Sequence, residues 1–212
     1  MLDFWHSRWQ EGRYGWHEAD GNEALKKYWP RLPTGSRVLV PLCGKSVDLL
    51  WLTRQGLEVT GVELSPIATR SFFEEAGLVF ETRENGSFKW FRNSEAGIAI
   101  ACGNYFDFTA TPFDALYDRA AFSALPSGKR SEYAGLTNSL LQPEAFRLLI
   151  TLEFDDCLAE GPPYPVFRDE VLACWPGLER LDSRNDVANA PQKYLEAGLD
   201  ELIEVAWADI RS

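Results

Sequence analysis

The sequence predicts an α/β fold in which helices cover both faces of a mostly parallel β-sheet. Through the first 150 residues, short runs rich in valine and leucine alternate with segments of helical periodicity, and this alternation is typical of parallel sheets. The chain has 212 residues, of which 45% are hydrophobic and 25% charged, as in ordinary globular proteins. This length suits one α/β domain, so we expect residues 1–212 to form a single domain.

The predicted strands are short apolar runs that follow turn-forming residues. They lie at 37–42, 58–63, 113–118 and 145–154, with two runs inside 87–102 that a hairpin or a meander would explain. Two late strands are predicted near 177–181 and 199–207, and this pair could add an antiparallel edge.

The predicted helices carry recognisable start and stop residues. The clearest has Ser65 as its N-cap and Pro66 at its first position, and it ends at Gly77. The other predicted helices lie at 3–10, 22–29, 46–55, 128–141 and 167–174. In sheets of this kind, ligands bind at the C-terminal ends of the strands. The candidate site therefore comprises residues 41–46, 63–65, 102–107 and 118–122.

Charge and cysteine usage narrow the classes of partner. The 21 basic and 32 acidic residues give a net charge of −11, which opposes binding to nucleic acid or to an anionic membrane. No stretch approaches the ~18 apolar residues of a membrane span, and the N-terminus lacks the pattern of a signal peptide. The four cysteines form no C-x-x-C pair and lie far from His6 and His17, so we expect no metal site. We expect a cytoplasmic protein with a small-molecule partner.

Residues 41–46, with the sequence PLCGKS, join a predicted strand to a predicted helix. Their end matches a phosphate-binding loop, but that motif requires glycine where this chain has Leu39. It also requires a loop before Lys45, where this chain has a strand. A nucleoside triphosphatase is therefore disfavoured, and the segment is either a plain strand-to-helix turn or part of another cofactor site.

Glu63 ends the second predicted strand, 19 residues after Gly44. In Rossmann-type sites an acidic residue at this place accepts hydrogen bonds from both hydroxyls of a ribose. Alone, Glu63 is equally well a surface charge, but together with the glycine turn it indicates an adenosyl cofactor. The turn has one glycine, whereas a dinucleotide pyrophosphate requires a G-x-G-x-x-G loop. The pattern therefore favours S-adenosylmethionine over NAD.

Asp118 and Arg119 follow another predicted strand. One interpretation is a surface ion pair. The other places the guanidinium near the carboxylate of the cofactor or near the substrate.

The N-terminal segment crowds Trp5, Trp9 and Trp16 among polar residues. Plain core packing is one interpretation. The other is that residues 1–20 order over the bound cofactor as a lid, where tryptophan rings would attract a sulfonium by cation–π interaction.

Several short motifs, in this order along the chain, resemble the thiopurine S-methyltransferase family. The resemblance runs from residue 4 to about residue 166 and thins afterwards. The motifs are Phe4-Trp5-His6-x-x-Trp9, Gly12, Trp16-His17, Pro41-Leu42-Cys43-Gly44-Lys45, Gly61-Val62-Glu63-Leu64-Ser65, Phe72-Phe73, Asp118-Arg119 and Gly161-Pro162-Pro163. The related halide and thiol methyltransferases share part of this pattern and stay open as an alternative.

The resemblance implies a Rossmann-like class I methyltransferase fold, with a seven-stranded, mostly parallel sheet whose last strand is antiparallel. It implies S-adenosylmethionine as the cofactor and S-adenosylhomocysteine as the product. The cofactor-site residues that it implies are Trp5, Trp9, Leu42, Glu63, Asn104, Tyr105 and Arg119. It places Trp16 against the methyl acceptor, although Trp16-His17-Glu18 departs from the commoner Phe-His-Gln, and it places Lys193 near a family arginine.

The implied reaction is an in-line displacement at a methyl carbon, for which positioning of the nucleophile supplies much of the rate. Sulfur and selenium nucleophiles ionise near neutral pH and need no strong base, so we assign no catalytic residue. His17 could act as a base, but it is better interpreted as a packing or capping residue. We expect a monomer that methylates a small thiol, thiopurines included, or a selenium or tellurium compound, with a role in tellurite or selenium detoxification. The alternatives are an S-adenosylmethionine-binding protein without turnover and a Rossmann oxidoreductase.

Overall fold

The computed structural model describes residues 2–13, 20–155 and 160–209, and all nine strands in this part of the chain join one mixed sheet. The strands are β1 Arg37–Pro41, β2 Glu58–Glu63, β3 Glu81–Asn85, β4 Phe88–Asn93, β5 Ile98–Cys102, β6 Phe113–Arg119, β7 Leu141–Glu153, β8 Leu178–Asn185 and β9 Ile203–Asp209. The helices are α1 Leu2–Gln10, α2 Glu23–Tyr28, α3 Asp48–Arg54, α4 Pro66–Glu75, α5 Ser127–Ser139, α6 Arg168–Cys174 and α7 Gln192–Glu196.

The strand order across the sheet is β3-β4-β5-β2-β1-β6-β7-β9-β8. The neighbours from β5 to β7 pair in parallel, whereas β9 is antiparallel to both β7 and β8. These pairings confirm the predicted parallel arrangement in the core of the sheet and its antiparallel last strand. The sheet has nine strands rather than the expected seven, because an antiparallel hairpin of β3 and β4 extends it beyond β5.

The additional edge strand β3 has the sequence ETREN, and all of its side chains are exposed. It shows no apolar alternation, so a periodicity-based prediction cannot detect it. β4, in contrast, buries Phe88 and Phe91, and Phe91 pairs with Ile100 of β5. A charged edge of this kind protects the sheet from pairing with another chain.

Side chains of the strands alternate between two hydrophobic cores, one on each face of the sheet. In β1, Leu39 belongs to the core that includes Tyr133 of α5 and Val171 of α6. Val38 belongs to the opposite core, which is covered by apolar residues of α2, α3 and α4. Helices therefore lie on both faces, as predicted.

The start of α4 holds the end of β2 in place. Ser65 caps this helix, with its Oγ accepting a hydrogen bond from the N–H of Ala68 at 3.3 Å, and Pro66 occupies the first turn. The predicted cap is confirmed. It fixes the chain immediately after Glu63, at the edge of the sheet where the parallel strands end.

Candidate functional site

A cavity of about 530 Å³ opens at the edge of the sheet where the parallel strands end. It extends from the segment after β5, across β2, β1 and β6, to the ends of β7 and β9, and includes the point between β1 and β6 where the strand order reverses. This is where α/β sheets of this type bind ligands, and the volume lies in the usual range of roughly 300–1,000 Å³. Residues from successive strand ends that line it include Gly103, Glu63, Leu42, Arg119, Leu152 and Glu204.

The chain turns sharply after β1, at Leu42 and Gly44, which both line the cavity. Their φ angles, +48° and +56°, lie in the left-handed region. A leucine costs about 1–2 kcal/mol in that region, and such strain persists only where the surrounding structure imposes it. The N–H of Cys43 donates to the carbonyl of Val62 at 3.1 Å, which fastens the turn to β2.

Glu63 faces the cavity with a side chain whose orientation is set by the backbone. The residue is 6% exposed, and its Oε2 accepts a hydrogen bond from the N–H of Gly44 at 2.8 Å. Its Oε1 accepts from the N–H of Ser65 at 2.7 Å. An ionised carboxylate offers about four acceptor positions, so these bonds orient the group and leave acceptor capacity for ligand hydroxyls. The alternative of a surface charge is therefore wrong.

Burial controls the protonation of the two titratable groups in this corner. Burial raises the pKa of Glu63 above its ordinary value of 4.5, and hydrogen bonds from backbone N–H groups oppose the rise. Burial and the neighbouring Glu63 carboxylate raise the pKa of the Cys43 thiol well above its usual range, so this thiol is not a nucleophile at neutral pH. The Cys43 sulfur lies 2.6 Å from where a Cβ of Gly61 would stand, which explains the glycine in β2.

Helix α1 packs against α4 and brings two predicted site residues to the cavity. Trp9 is 5% exposed, and its ring lies over Gly44, 3.3 Å from where a Cβ would stand. Trp5 also lines the cavity. His6 Nε2 lies 3.5 Å from the carbonyl oxygen of Leu64, so α1 contacts both turns that surround Glu63.

The segment after β5 contributes Asn104 and Tyr105, which both line the cavity. Asn104 caps a short 3-10 turn, and its Nδ2 donates to Asp107 at 3.0 Å. Tyr105 is 4% exposed, and its hydroxyl is hydrogen-bonded to Thr137 Oγ1 at 2.8 Å. Because that hydroxyl is engaged in the core, Tyr105 contributes a wall to the cavity rather than a polar group.

Arg119 lines the cavity between a buried acid and a left-handed residue. Asp118 is 0% exposed and accepts hydrogen bonds from the Tyr133 hydroxyl at 2.7 Å and the Phe122 N–H at 3.2 Å, which excludes the alternative of a surface ion pair. Burial raises the pKa of Asp118 to about 6, and these hydrogen bonds oppose the rise. Ala120 has a φ of +59°. The hydrogen-bonded Asp118 and the left-handed Ala120 thus fix the backbone before and after Arg119.

A buried polar network that the sequence does not predict lies beside the part of the cavity lined by Tyr117, Arg184 and Glu204. Asn22 is 0% exposed, and its Nδ2 donates to both carboxylate oxygens of Glu204 at 3.2 Å. Its backbone N–H donates to Asp48 at 2.8 Å, and the Tyr117 hydroxyl donates to the other oxygen of Asp48 at 2.8 Å. Arg184 Nε pairs with Glu204 at 3.0 Å. Asn22 and Glu204 are 182 residues apart, so no local motif indicates their contact.

The seven residues predicted for the cofactor site all line this one cavity: Trp5, Trp9, Leu42, Glu63, Asn104, Tyr105 and Arg119. Trp16 and His17 lie outside the described residues. Lys193 donates to the carbonyl of Glu160, and burial followed by the nearby Arg8 cation lowers its pKa.

Among residues 2–13, 20–155 and 160–209, no three His, Cys, Asp or Glu side chains are grouped so as to hold a metal ion. Within the same described residues, no helix is long and apolar enough to cross a bilayer.

Lys45, the lysine of the PLCGKS segment, pairs with Glu75 of α4 at 2.7 Å. This bond gives Lys45 a protein partner, in agreement with the rejection of a phosphate loop.

Comparison with known proteins agrees with this geometry. Residues 1–209 match the family described as thiopurine S-methyltransferase. Proteins named thiopurine S-methyltransferase from Pseudomonas putida and Bordetella petrii are 43% and 42% identical to the chain, over 95% and 94% of both sequences.

Among solved structures, the 1,6-didemethyltoxoflavin-N1-methyltransferase of Burkholderia thailandensis superposes with a TM-score of 0.62 at 17% identity, covering 99% of this chain and 87% of that one. The glycopeptide N-methyltransferase MtfA superposes with a TM-score of 0.59 at 14% identity, covering 91% of this chain and 88% of that one. These structural likenesses show the fold, which is that of class I methyltransferases. The chain belongs to the thiopurine S-methyltransferase family, whose enzymes use S-adenosylmethionine.

Proposed function

We propose that the protein uses S-adenosylmethionine to methylate the sulfur of a small thiol. Aromatic and heterocyclic thiols such as thiopurines are included among the acceptors, and selenium and tellurium compounds are further candidates. The observation that carries the proposal is the Glu63 carboxylate, which two backbone N–H groups orient at the wall of the cavity. A carboxylate at the end of this strand selects a ligand with adjacent hydroxyl donors, as in the ribose of the cofactor.

The residues of this corner suit an adenosyl sulfonium better than a dinucleotide. The N–H of Gly44 already donates to Glu63, and the ring of Trp9 covers Gly44, so this turn has no open backbone cradle for a pyrophosphate. Trp5 and Trp9 line the same cavity, and aromatic rings attract a sulfonium by cation–π interaction. When bound, S-adenosylmethionine supplies a methyl group that is already activated for transfer.

The task of the protein is then to position a nucleophile and to tolerate its charge. Arg119 lines the cavity, and its guanidinium stays protonated, so it offsets the charge of a thiolate acceptor. Arg8 lines the same cavity and adds to this effect, whereas the charge of Arg184 is offset by Glu204. A thiolate needs no base to remove a proton, which suits a cavity lined by Arg119 and Arg8.

We further propose that residues 1–20 form a lid within a single domain; residues 14–19 lie outside the described residues, so the support comes from α1. Support comes from Trp9, whose ring is buried against Gly44, and from the packing of α1 on α4. Limited proteolysis tests the lid. We expect cleavage before about residue 20 in the cofactor-free protein and protection on adding S-adenosylhomocysteine. Equal cleavage in both states would contradict it.

The experiment that tests the proposed function is an acceptor screen that measures production of S-adenosylhomocysteine. It includes small alkyl thiols, aryl thiols, a thiopurine, selenite, tellurite, halides and a catechol. Turnover with thiols or selenium compounds supports the proposal. Turnover with halides alone indicates the halide alternative, and cofactor binding without turnover of any acceptor indicates a binding protein.

A further inference from the structure

Pro162 and Pro163 form part of the cavity wall. They belong to residues 160–165, which we name the proline loop. The loop leaves no room for a side chain on Gly161, because a Cβ there would stand 2.4 Å from the ring of Tyr164. Because Pro162 and Pro163 form part of the wall, the position of the loop sets the width of the cavity at this point.

The proline loop is held on one side by Arg130 of α5, whose side chain is 4% exposed. Its Nη2 donates to the carbonyl of Pro165 at 2.9 Å and to that of Tyr164 at 3.4 Å. Its Nε donates to the carbonyls of Phe122 and Leu125 at 3.3 Å and 3.1 Å.

The carboxylate of Glu170 on α6 neutralises Arg130 at 2.7 Å. One buried guanidinium therefore joins the proline loop to the segment that follows Arg119. A buried arginine with this many carbonyl partners has its geometry fully specified by its fork of five N–H donors.

A second helix holds the loop independently. The hydroxyl of Tyr194, on α7, donates to the carbonyl of Pro163, and the ring of Tyr194 packs edge-on against Phe154, with 5.0 Å between the centroids. Neither Arg130 nor Tyr194 is among the described residues that line the cavity. Both act on the cavity through the loop, not by touching a ligand.

We propose that Arg130 and Tyr194 are positioning residues that set the acceptor selectivity of the enzyme by holding the Pro162–Pro163 wall. The inference rests on the proposed function, since it assigns this end of the cavity to the methyl acceptor. A bulky planar acceptor reaches the wall, whereas a small thiol near the transferred methyl group does not. Displacement of the wall therefore changes the KM of large acceptors most.

The test compares Arg130→Lys and Tyr194→Phe with the wild type. Lysine cannot span the four carbonyls that the arginine fork bonds, and phenylalanine retains the ring of Tyr194 but loses its hydroxyl. We expect the KM of a bulky aryl thiol to rise about tenfold in R130K and about threefold in Y194F, each carbonyl bond being worth roughly 0.5–1.5 kcal/mol. The KM of a small alkyl thiol and the Kd of S-adenosylhomocysteine should change less than about twofold.

The matched control is Glu132→Gln, on the same helix as Arg130, which removes only the exposed ion pair with Lys129. It should leave all three constants unchanged. If R130K does not fold, Y194F decides. An unchanged KM ratio between large and small thiols, or a Kd for S-adenosylhomocysteine that weakens in step with KM, would overturn the proposal.

Hydrogen exchange separates this proposal from the proposed function. The N–H groups of Tyr164 and Val166 donate to Ser123 and Leu152, both at 2.7 Å. We expect both amides to exchange faster in R130K than in the wild type, whatever the activity. A wild-type protein that methylates no thiol refutes the proposed function and with it the role in acceptor selectivity, but faster exchange in R130K would still show that Arg130 holds the proline loop. Unchanged exchange in R130K refutes the role of Arg130 in holding the loop and leaves the proposed function intact.

Discussion

Replacing Glu63 by glutamine tests the cofactor site with little change in shape. The carboxylate accepts hydrogen bonds from the N–H groups of Gly44 at 2.8 Å and Ser65 at 2.7 Å. Glutamine keeps one oxygen and presents an NH₂ group in place of the other. One of the two backbone donors then faces a donor, and one of the two oxygens that a ribose diol would use is lost.

The size of the effect follows from these lost bonds. A hydrogen bond to a charged group is worth about 1.5–3 kcal/mol, so affinity for S-adenosylhomocysteine should fall roughly tenfold to a hundredfold. The free energy of unfolding should also fall, by about 1–3 kcal/mol, because a buried N–H loses its acceptor. Glu63→Ala orphans both N–H groups and is expected to destabilise the fold more, which makes glutamine the better variant.

Isothermal titration calorimetry with S-adenosylhomocysteine measures the affinity, and urea unfolding measures stability. The matched control is Glu58→Gln, at the other end of the same strand, where the side chain is exposed. It should bind like the wild type. Affinity of E63Q within about twofold of the wild type, with the fold intact, would refute the assignment of Glu63 to the ribose.

Three other substitutions test the surroundings of the site. Gly44→Ala places a methyl group 3.3 Å from Trp9 in a left-handed residue, so calorimetry should show cofactor affinity weakened several-fold. The pKa of Asp118 rises from 3.8 to about 6 on folding. Relative to Asp118→Asn, the free energy of unfolding of the wild type should therefore fall by up to about 3 kcal/mol as the pH rises from about 4 to about 6. Urea unfolding at each pH measures this difference, and parallel curves for the two proteins would contradict it. Asn22→Ala removes the cap of α2 and a hydrogen-bond partner of buried Glu204. It should lower the free energy of unfolding by about 2–4 kcal/mol. A loss below about 0.5 kcal/mol would show that the buried polar network around Asn22 contributes little to stability.

Features carried by short stretches of sequence could be predicted. The strand ending at Glu63 and the cap at Ser65 lie within a few residues of one another, and each has a local chemical reason. The glycine turn after β1 was predictable on the same ground. What could not be predicted was that Leu42 itself adopts a positive φ, since that conformation is imposed by the surrounding structure.

Boundaries near the C-terminus shifted for reasons of tertiary packing. The strand expected at 199–207 begins only at Ile203, as β9. It starts later because Leu199 and Leu202 pack in a separate cluster around Tyr194 instead of joining the sheet. The five-residue helix α7 precedes this cluster and is too short for a periodic signal. Likewise, β7 begins earlier than expected because Leu141 already pairs with Phe113 of β6.

Polar contacts between residues far apart in the chain could not be predicted from the sequence. Arg130 stands on a helix and has no sequence feature that separates it from a solvated arginine, yet its side chain is buried. Its partners come from three segments, and Tyr194 reaches Pro163 across 31 residues. Such contacts depend on the packed fold, so only the structure reveals the residues that hold the Pro162–Pro163 wall of the cavity.

We propose that the enzyme transfers a methyl group to an ionised sulfur without a strong general base. The most direct measurement is the pH dependence of kcat/KM for a series of aryl thiols of different acidity, with S-adenosylhomocysteine as the product measured. We expect the rate to follow the ionised fraction of each thiol, so that the midpoint of the profile moves with the acidity of the acceptor. A midpoint that stays at one pH for every thiol would assign the titration to a base on the protein and would rule out transfer without a base.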